Sequence, residues 1–329
     1  MQLFQEHNLF CIHHGKNMNI LLTGGSGFIG SNLSKELLKN DENRLIIVDN
    51  LLTGSLNNLE SLLDNENVRF VQHDVQDHLE IEEKVDYVLH FASAASPVAY
   101  TENPVNTLKA GSLGTINTLG LARKHNAEYF LASTSEVYGD PLITPQNEDY
   151  WGNVNPNGER SMYDEAKRFA EAATATYART YNLKTKIIRI FNTYGPNMQL
   201  NDGRVVTNLI VQALNNEDLT LYGDGTQTRS FSYVSDTVAG IIAMMNSEFY
   251  EVFNIGNPYE MTVKELAETI LSLTDSKSKI IYQPLPNDDP KQRKPDITKA
   301  KEKLNWEPKV DLETGLTHTI DWIKKELSK

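Results

Sequence analysis

The stretch T-G-G-S-G-F-I-G, residues 23–30, decides the fold. It follows an apolar run at 18–22 and leads into Ile29, Leu33 and Leu37, whose four-residue spacing is typical of one helix face. In a strand, glycine turn and helix of this kind, the glycines allow close backbone approach. The helix N-terminus then offers amides and a positive dipole to a pyrophosphate. The stretch therefore predicts the start of a dinucleotide-binding unit.

A carboxylate in the second strand supports this prediction. Asp49 ends the run R-L-I-I-V-D-N at 44–50, nineteen residues after Gly30, where a ribose-binding carboxylate is expected. No Lys or Arg follows in 50–60 to meet a 2′-phosphate, so the residues favour NAD over NADP. Asp74 ends the third run and is a candidate for the adenine edge, although strand-end aspartates are turn or cap residues at least as often.

Apolar, β-branched runs alternate with helical patterns through the first part of the chain. The runs lie at 18–24, 44–50, 68–74, 85–93, 127–133 and 184–192, and the main helical patterns at 104–125 and 160–182. This alternation predicts an α/β fold with a Rossmann-like, doubly wound parallel sheet. After about residue 193, Gly-, Asn- and Asp-rich loops alternate with shorter helices at 204–215, 262–273 and 312–327, which indicates a smaller C-terminal α/β substrate-binding lobe.

We expect three parts along the chain: an N-terminal extension at 1–17, an NAD-binding domain at 18–192 plus about 229–259, and a substrate lobe at about 193–228 and 260–329. The bulk composition excludes several classes of function. A formal net charge of -13 argues against nucleic-acid binding, and the single cysteine, Cys11, excludes an intramolecular disulfide. We expect no metal site, since His13-His14 lacks ligand spacing. We also expect no membrane association and a cytoplasmic location, because no run approaches ~18 apolar residues and 1–17 lacks a signal-peptide core.

Two further motifs contain side chains that are suited to catalysis. Y-D-E-A-K places Tyr163 and Lys167 four residues apart, on one face of a predicted helix, where the ammonium is expected to lower the pKa of the phenol. S-T-S-E-V-Y-G at 133–139 delivers Thr134, Ser135 and Glu136 at the end of a buried strand. On its own a Tyr-x-x-x-Lys spacing is usually a surface pair, but here it follows a dinucleotide motif and two hydroxyls.

Together these motifs resemble the extended short-chain dehydrogenase/reductase family over about residues 17–325. Within it, S-T-S-E-V-Y-G-D-P, E-D-Y-W-G-N-V-N-P, R-I-F-N-T-Y-G-P and above all D-D-P-K-Q-R-K-P-D-I at 288–297 are similar to the UDP-glucuronate decarboxylases, the enzymes that make UDP-xylose. The resemblance implies that NAD oxidises C4 of the sugar while Tyr163 takes the hydroxyl proton. The 4-keto acid then loses CO2, and the returned hydride regenerates the cofactor.

The resemblance also implies roles for individual residues. Thr134 would bond the C4 oxygen, Ser135 and Glu136 would lie over C5, and Arg293 would meet the sugar carboxylate. As cofactor-binding residues it implies Gly24, Gly27, Phe28, Ile29, Gly30, Asp49, Asn50, Asp74, Val75, Ala92, Tyr163 and Lys167. As substrate-binding residues it implies Tyr100, Glu136, Asn192, Arg204, Tyr222, Gln227, Arg229 and Arg293. By resemblance, helices 104–125 and 160–182 pair with a second subunit in a homodimer.

The chain departs from the decarboxylases at a few positions. Ala94 stands where they usually have proline, and Gly111 where an asparagine is common, which puts the polar relay behind Tyr163 in doubt. Two alternatives stay open: a nucleotide-sugar 4-epimerase or 4,6-dehydratase on the same scaffold, and a non-catalytic NAD-binding sensor. The string that contains Arg293 discriminates against the first, and the joint presence of Thr134, Tyr163 and Lys167 against the second.

Overall fold

The structure, a computed structural model, describes residues 17–284 and 292–329. The expected N-terminal extension before residue 17, with Cys11, His13 and His14, lies outside the described residues. So does the first part of the decarboxylase-like string, 288–291. Within the described ranges, no helix is both long enough and apolar enough to cross a bilayer.

Strands and helices follow the predicted alternation closely. The strands are β1 Asn19–Thr23, β2 Arg44–Asp49, β3 Val68–Gln72, β4 Tyr87–His90, β5 Glu128–Thr134, β6 Thr185–Ile190, β7 Thr193–Tyr194, β8 Leu219–Tyr222, β9 Thr228–Ser230, β10 Ser232–Tyr233, β11 Val252–Ile255, β12 Glu260–Thr262, β13 Ile280–Gln283 and β14 Gln292–Arg293. The α-helices are α1 Phe28–Leu37, α2 Pro97–Glu102, α3 Pro104–Lys109, α4 Thr115–His125, α5 Ser161–Tyr181, α6 Val205–Leu214, α7 Val234–Met245, α8 Val263–Thr274, α9 Thr298–Leu304 and α10 Leu312–Leu327. The predicted helix 104–125 is interrupted by a π-helical turn, Ala110–Gly114.

Seven parallel strands form the central sheet in the order β3-β2-β1-β4-β5-β6-β11. The prediction of a doubly wound parallel sheet is therefore confirmed. The strand order reverses between β1 and β4, where Thr23 pairs with His90. In such sheets ligands bind in the crevice at the carboxyl ends of the strands on either side of this reversal.

Both faces of the sheet are buried, which explains the continuous apolar runs of its strands. Leu22 and Ile47 belong to a core closed by α1, α7 and Trp306, whereas Leu21 and Val48 belong to a second core under α4 and α5. A third core lies among α6, α8 and α10, and three small sheets, β10-β7, β12-β9-β14 and β13-β8, accompany it. The pairing of β14 with β9 sets Arg293 beside Arg229.

The glycine turn between β1 and α1 brings backbone segments into close contact. Gly24 has φ +74°, and a Cβ there would lie 2.7 Å from the Ala92 nitrogen. A Cβ on Gly30 would lie 2.2 Å from the Gly24 carbonyl oxygen. Gly27 precedes α1 and has no side chain to cap it, so the first amides of the helix are left for a ligand.

Replacing Gly30 with alanine should open this turn. We expect a loss of stability of about 1–3 kcal/mol from overpacking, together with much weaker dinucleotide binding. Gly120→Ala is the matched control, because nothing lies within 4 Å of a Cβ there and it sits in α4, where alanine should add up to about 1 kcal/mol. Thermal unfolding and NAD titration measure both effects. Equal behaviour of the two variants would contradict the close-contact explanation.

Candidate active site

One cavity of about 1160 Å³ opens at the carboxyl ends of the central strands and extends between the sheet and the C-terminal small sheets. Its volume exceeds that of most single-ligand pockets, so it has room for two ligands side by side. Every site residue predicted from the sequence lines it. These are Gly24, Gly27, Phe28, Ile29, Gly30, Asp49, Asn50, Asp74, Val75, Ala92, Tyr100, Thr134, Ser135, Glu136, Tyr163, Lys167, Asn192, Arg204, Tyr222, Gln227, Arg229 and Arg293.

The β1–β3 side of the cavity has the groups that a dinucleotide needs. Asp49 accepts hydrogen bonds from the amides of Ser26 at 3.1 Å and Leu51 at 2.8 Å, which orient its carboxylate at the cavity wall. Each oxygen keeps a second lone pair for a ribose hydroxyl. Asn50 donates to Asp74 at 2.8 Å, so this carboxylate is held at the far end of the groove. With the glycine turn, these residues fit a dinucleotide.

The tyrosine and the lysine lie together on α5, as predicted. The Lys167 ammonium donates to the Ala132 carbonyl at 2.9 Å and lies 5.8 Å from the centre of the Tyr163 ring. Burial lowers the pKa of Lys167 to about 8, against the opposing charge of Glu171. Contrary to the sequence-based expectation, the pKa of Tyr163 is raised: burial dominates, the Thr134 hydrogen bond lowers it and the Glu136 charge raises it further. Exclusion of water therefore dominates the pKa of Tyr163 in this structure.

The carboxylate at the end of β5 has two cationic partners. Glu136 stands in a 3-10 turn, Ser135–Tyr138, whose start is capped by the Thr134 hydroxyl. Both guanidinium Nη atoms of Arg293 bond it, Nη2 at 3.0 Å, and Arg160 Nη2 donates to its Oε2 at 2.6 Å. Burial alone would raise the pKa of Glu136, but the two guanidiniums outweigh it and lower that pKa. Glu136 is thus an ionised, firmly held group.

Sequence reasoning missed Arg160 and Asp164. Arg160 precedes α5 and lines the cavity, and its position one turn before Tyr163 was the only signal. Asp164 is 8% exposed, and its Oδ1 has no hydrogen-bond partner among the described residues. Burial and the charge of Glu136 raise the pKa of Asp164 to about 7. Tyr100 stacks on Tyr163 with ring centres 5.2 Å apart, so the reacting phenol is packed from one side.

A polar network behind the cavity fixes the end of β5. Ser133 donates to Glu171 at 2.6 Å, and Arg189 binds both oxygens of the same carboxylate, at 2.9 and 2.7 Å. Arg189 also donates to the Tyr138 hydroxyl at 2.9 Å, and Tyr138 in turn donates to Asn254 at 2.8 Å. The strand end, the following 3-10 turn and β11 are therefore tied together by charge-assisted bonds.

The remaining predicted substrate residues lie on the far wall. Arg204 precedes α6 and donates to Asp202 at 2.6 Å, Gln227 donates to the Tyr222 carbonyl at 2.7 Å, and Arg229 donates to the Thr228 carbonyl at 2.9 Å. Tyr222 is 48% exposed, so its ring is open to the cavity rather than packed in a core. These contacts fix the positions of the side chains, whereas their roles in substrate binding stay predictions.

The structure explains how the departure at Gly111 is accommodated. A Cβ at this position would lie 2.6 Å from the Cβ of Ala166, so Ala166 fills the space that a side chain at 111 would need. No side chain at 111 can therefore take part in a relay behind Tyr163. Among residues 17–284 and 292–329, no group of three or more His, Cys, Asp and Glu side chains is placed to hold a metal ion.

The doubly wound sheet, the glycine turn and a Tyr-Lys pair at one large cavity are typical of an extended short-chain dehydrogenase/reductase. The family model described as GDP-mannose 4,6 dehydratase matches residues 21–319. The chain belongs to this family.

Several named proteins and solved structures are similar to this chain over most of its length. The chain is 51% identical to UDP-glucuronic acid decarboxylase 1 of Danio rerio, over 94% of this chain and 73% of that protein. It is 53% identical to UDP-glucuronic acid decarboxylase 5 of Arabidopsis thaliana, over 91% of this chain and 87% of the relative. Among solved structures, it resembles UDP-glucose 4-epimerase of Thermotoga maritima with a TM-score of 0.86 and 33% identity, covering 94% of this chain and 100% of that chain. It also resembles UDP-glucuronic acid 4-epimerase of Bacillus cereus in complex with UDP-glucuronic acid and NAD, with a TM-score of 0.85 and 27% identity, covering 94% and 100%.

Replacing Asp164 with asparagine tests the buried carboxyl. Its pKa is about 7 in the fold and about 3.9 in an unfolded chain, so between these values the native state binds the extra proton. The stability contributed by protonated Asp164 is present below about pH 4 and lost as the pH rises through about 7. The asparagine side chain is always neutral, so the Asp164→Asn variant should gain melting temperature over wild type at about pH 8, and less at about pH 5. The control is the exposed Asp149→Asn; an equal gain at both pH values would contradict the assignment.

Proposed function

We propose that the protein is an NAD-dependent UDP-glucuronate decarboxylase that forms UDP-xylose and CO2 through a 4-keto intermediate. The observation that carries this proposal is Arg293, a guanidinium only 5% exposed at the wall where Thr134 and Tyr163 meet. A buried permanent charge at this place suits a sugar carboxylate. Relatives at 51% and 53% identity that are named decarboxylases support the same conclusion.

The charges around the sugar site favour an acidic sugar over a neutral one. Arg160 and Arg293 both bond Glu136, so two permanent positive charges face a single ionised carboxylate. Asp164 is about half protonated near neutral pH and offsets only part of this excess. A second carboxylate, that of glucuronate, would balance the charge at low cost. A glucose ring would leave the net positive charge of the two arginines and Glu136 uncompensated.

NAD, when bound, supplies the acceptor and later the donor of the hydride at C4. Tyr163 takes the C4 hydroxyl proton, Thr134 bonds the same oxygen, and Lys167 holds the tyrosine and the nicotinamide ribose. With C4 as a ketone, the C5–C6 electron pair moves toward the carbonyl as CO2 leaves, and Thr134 and Tyr163 stabilise the oxygen that gains charge. C5 then takes a proton from water on the side of Ser135 and Glu136, and Tyr163 returns its proton to the C4 oxygen when C4 is reduced again.

The other predicted roles follow on this proposal. Arg204 and Arg229 meet the diphosphate, Tyr222 and Gln227 the uridine, and Asn192 and Tyr100 the sugar. The division at 18–192 plus about 229–259 is supported by β11, which returns the chain to the central sheet. A homodimer through α3, α4 and α5 is supported by the exposure of Val105, Leu108, Leu113 and Phe169, at 61%, 45%, 49% and 44%. The cytoplasmic location stays a prediction.

A 4-epimerase acting on the same substrate is the second candidate, because the Bacillus cereus epimerase structure holds UDP-glucuronic acid and NAD in a similar fold. Incubation of the pure protein with UDP-glucuronate and NAD distinguishes the two by NMR and mass. We expect loss of CO2 and formation of UDP-xylose. A product of unchanged mass, UDP-galacturonate, would support the epimerase, and an inert mixture with bound NAD would support a sensor.

Removal of the Arg293 guanidinium tests the carboxylate site. We expect Arg293→Gln to lower kcat/KM for UDP-glucuronate at least about 30-fold, since loss of one partner of a buried charge pair costs about 2 kcal/mol or more. Lys294→Gln is the matched control, because Lys294 is the next residue and bonds Glu260 at the protein surface. Unchanged turnover by Arg293→Gln would show that another group binds the carboxylate.

A further inference from the structure

The guanidinium assigned to the substrate carboxylate already holds a carboxylate of the protein. Arg293 binds both oxygens of Glu136 through its two Nη atoms. A guanidinium has five N–H donors and two edges that can each make a forked contact to a carboxylate. The Nη1–Nη2 edge of Arg293 faces Glu136, so on the proposed function the glucuronate carboxylate competes with Glu136 for this guanidinium when the substrate binds.

Glu136 then needs a second cation. Its side chain is 13% exposed, and burial acts to raise its pKa. An ionised carboxylate in such surroundings that loses its partner becomes protonated or moves. Arg160 is already in place to prevent this, because its Nη2 donates to Glu136 Oε2 at 2.6 Å, independently of the Nη1–Oε1 contact of Arg293.

We infer that Arg160 is a positioning residue that keeps Glu136 ionised and aimed at the sugar after the substrate carboxylate has taken Arg293. This inference rests on the proposed function. It assigns one task to each arginine: Arg293 binds the substrate, and Arg160 holds Glu136.

The surroundings of Arg160 suit this task. Its carbonyl accepts the amides of Tyr163 at 3.0 Å and Asp164 at 3.1 Å, so its backbone is fixed to the first turn of α5. Its guanidinium carbon lies 5.9 Å from the centre of the Tyr100 ring, which in turn stacks on Tyr163. The side chain is 21% exposed and therefore has few other positions. Arg160 thus links the position of Glu136 to that of the reacting phenol.

Several charged and titratable groups face Glu136, from every element packed around it. They are Arg293 on β14, Arg229 on β9, Arg160 before α5, Tyr163 and Asp164 on α5, and Tyr100 on α2. With the substrate bound, the sugar carboxylate is a further negative charge that competes for these cations. It also favours the protonated form of Asp164, whose pKa is already raised to about 7. Loss of Arg160 would then leave Glu136 with no directly bonded cation among the described residues.

Arg160→Gln and Arg160→Lys test this inference, with Arg168→Gln as control. Arg168 lies on the same helix but donates to the Val137 and Trp151 carbonyls. For Arg160→Gln we expect kcat to fall about 100-fold, the value of a well-placed acid-base group, while KM for UDP-glucuronate rises less than in Arg293→Gln because Arg293 still faces the substrate carboxylate. The acid limb of the pH profile of kcat should shift to higher pH by about one unit or more, because the pKa of Glu136 rises when the positive charge is removed. In Arg160→Lys the acid limb should return close to its wild-type position. Arg168→Gln should change neither kcat nor the position of the acid limb.

Substrate affinity separates the two arginines directly. In the Tyr163→Phe background, calorimetry should show UDP-glucuronate binding weakened at least about tenfold by Arg293→Gln and clearly less by Arg160→Gln. A raised KM with unchanged kcat for Arg160→Gln, or an unshifted acid limb, would overturn the inference.

If the Arg160→Gln variant does not fold, the Arg160→Lys variant tests the inference in its place. A kcat up to about tenfold lower, with an acid limb close to that of the wild type, supports the inference, because a lysine keeps the charge but offers a shorter, single-point contact; a raised KM with an unchanged kcat contradicts it. A wild-type protein that releases no CO2 overturns the proposed function and this inference together. A wild-type protein that decarboxylates, beside an Arg160→Gln variant that behaves like Arg168→Gln, overturns this inference alone.

Discussion

The ion pair between Glu136 and Arg293 is the constraint on which the site depends. It joins residues 157 positions apart, one at the end of a central strand and the other in a small sheet beside it. A buried carboxylate without a cation would be protonated or expelled, so the two parts of the chain must meet here. Replacing such a pair with apolar residues is often neutral or stabilising, so stability alone does not explain its presence.

The surrounding structure keeps this pair and the reacting groups rigid. The network of Ser133, Glu171 and Arg189 ties the end of β5 to α5 and β6, so Thr134 and Glu136 leave the strand in one orientation. On the other side, the glycine turn permits the backbone contact that brings α1 to the pyrophosphate position. Both the polar network and the glycine turn lie at the ends of central strands, so the site is supported by the central sheet.

Epimerases and dehydratases share this scaffold, so the fold alone does not choose the reaction. Thr134, Tyr163 and Lys167 suit any oxidation at a sugar hydroxyl. On the proposed function, the choice lies in the two arginines around Glu136, because their positive charge favours a sugar acid. The change at Gly111, which is compensated in volume by Ala166, shows that the region behind the tyrosine can vary without loss of the groups that face the cavity.

The sequence by itself determined the fold and most of the site. Strand and helix periods, the glycine turn, Asp49 and the Tyr163–Lys167 spacing are local signals, because each depends on neighbours within about one βα unit of the chain. Family resemblance added Arg293. Only the tertiary structure decided that Glu136 is shared between Arg293 and Arg160, that Asp164 is buried, and that burial raises the pKa of Tyr163. Charge pairing and exclusion of water depend on which distant residues meet in space, and no local pattern records this.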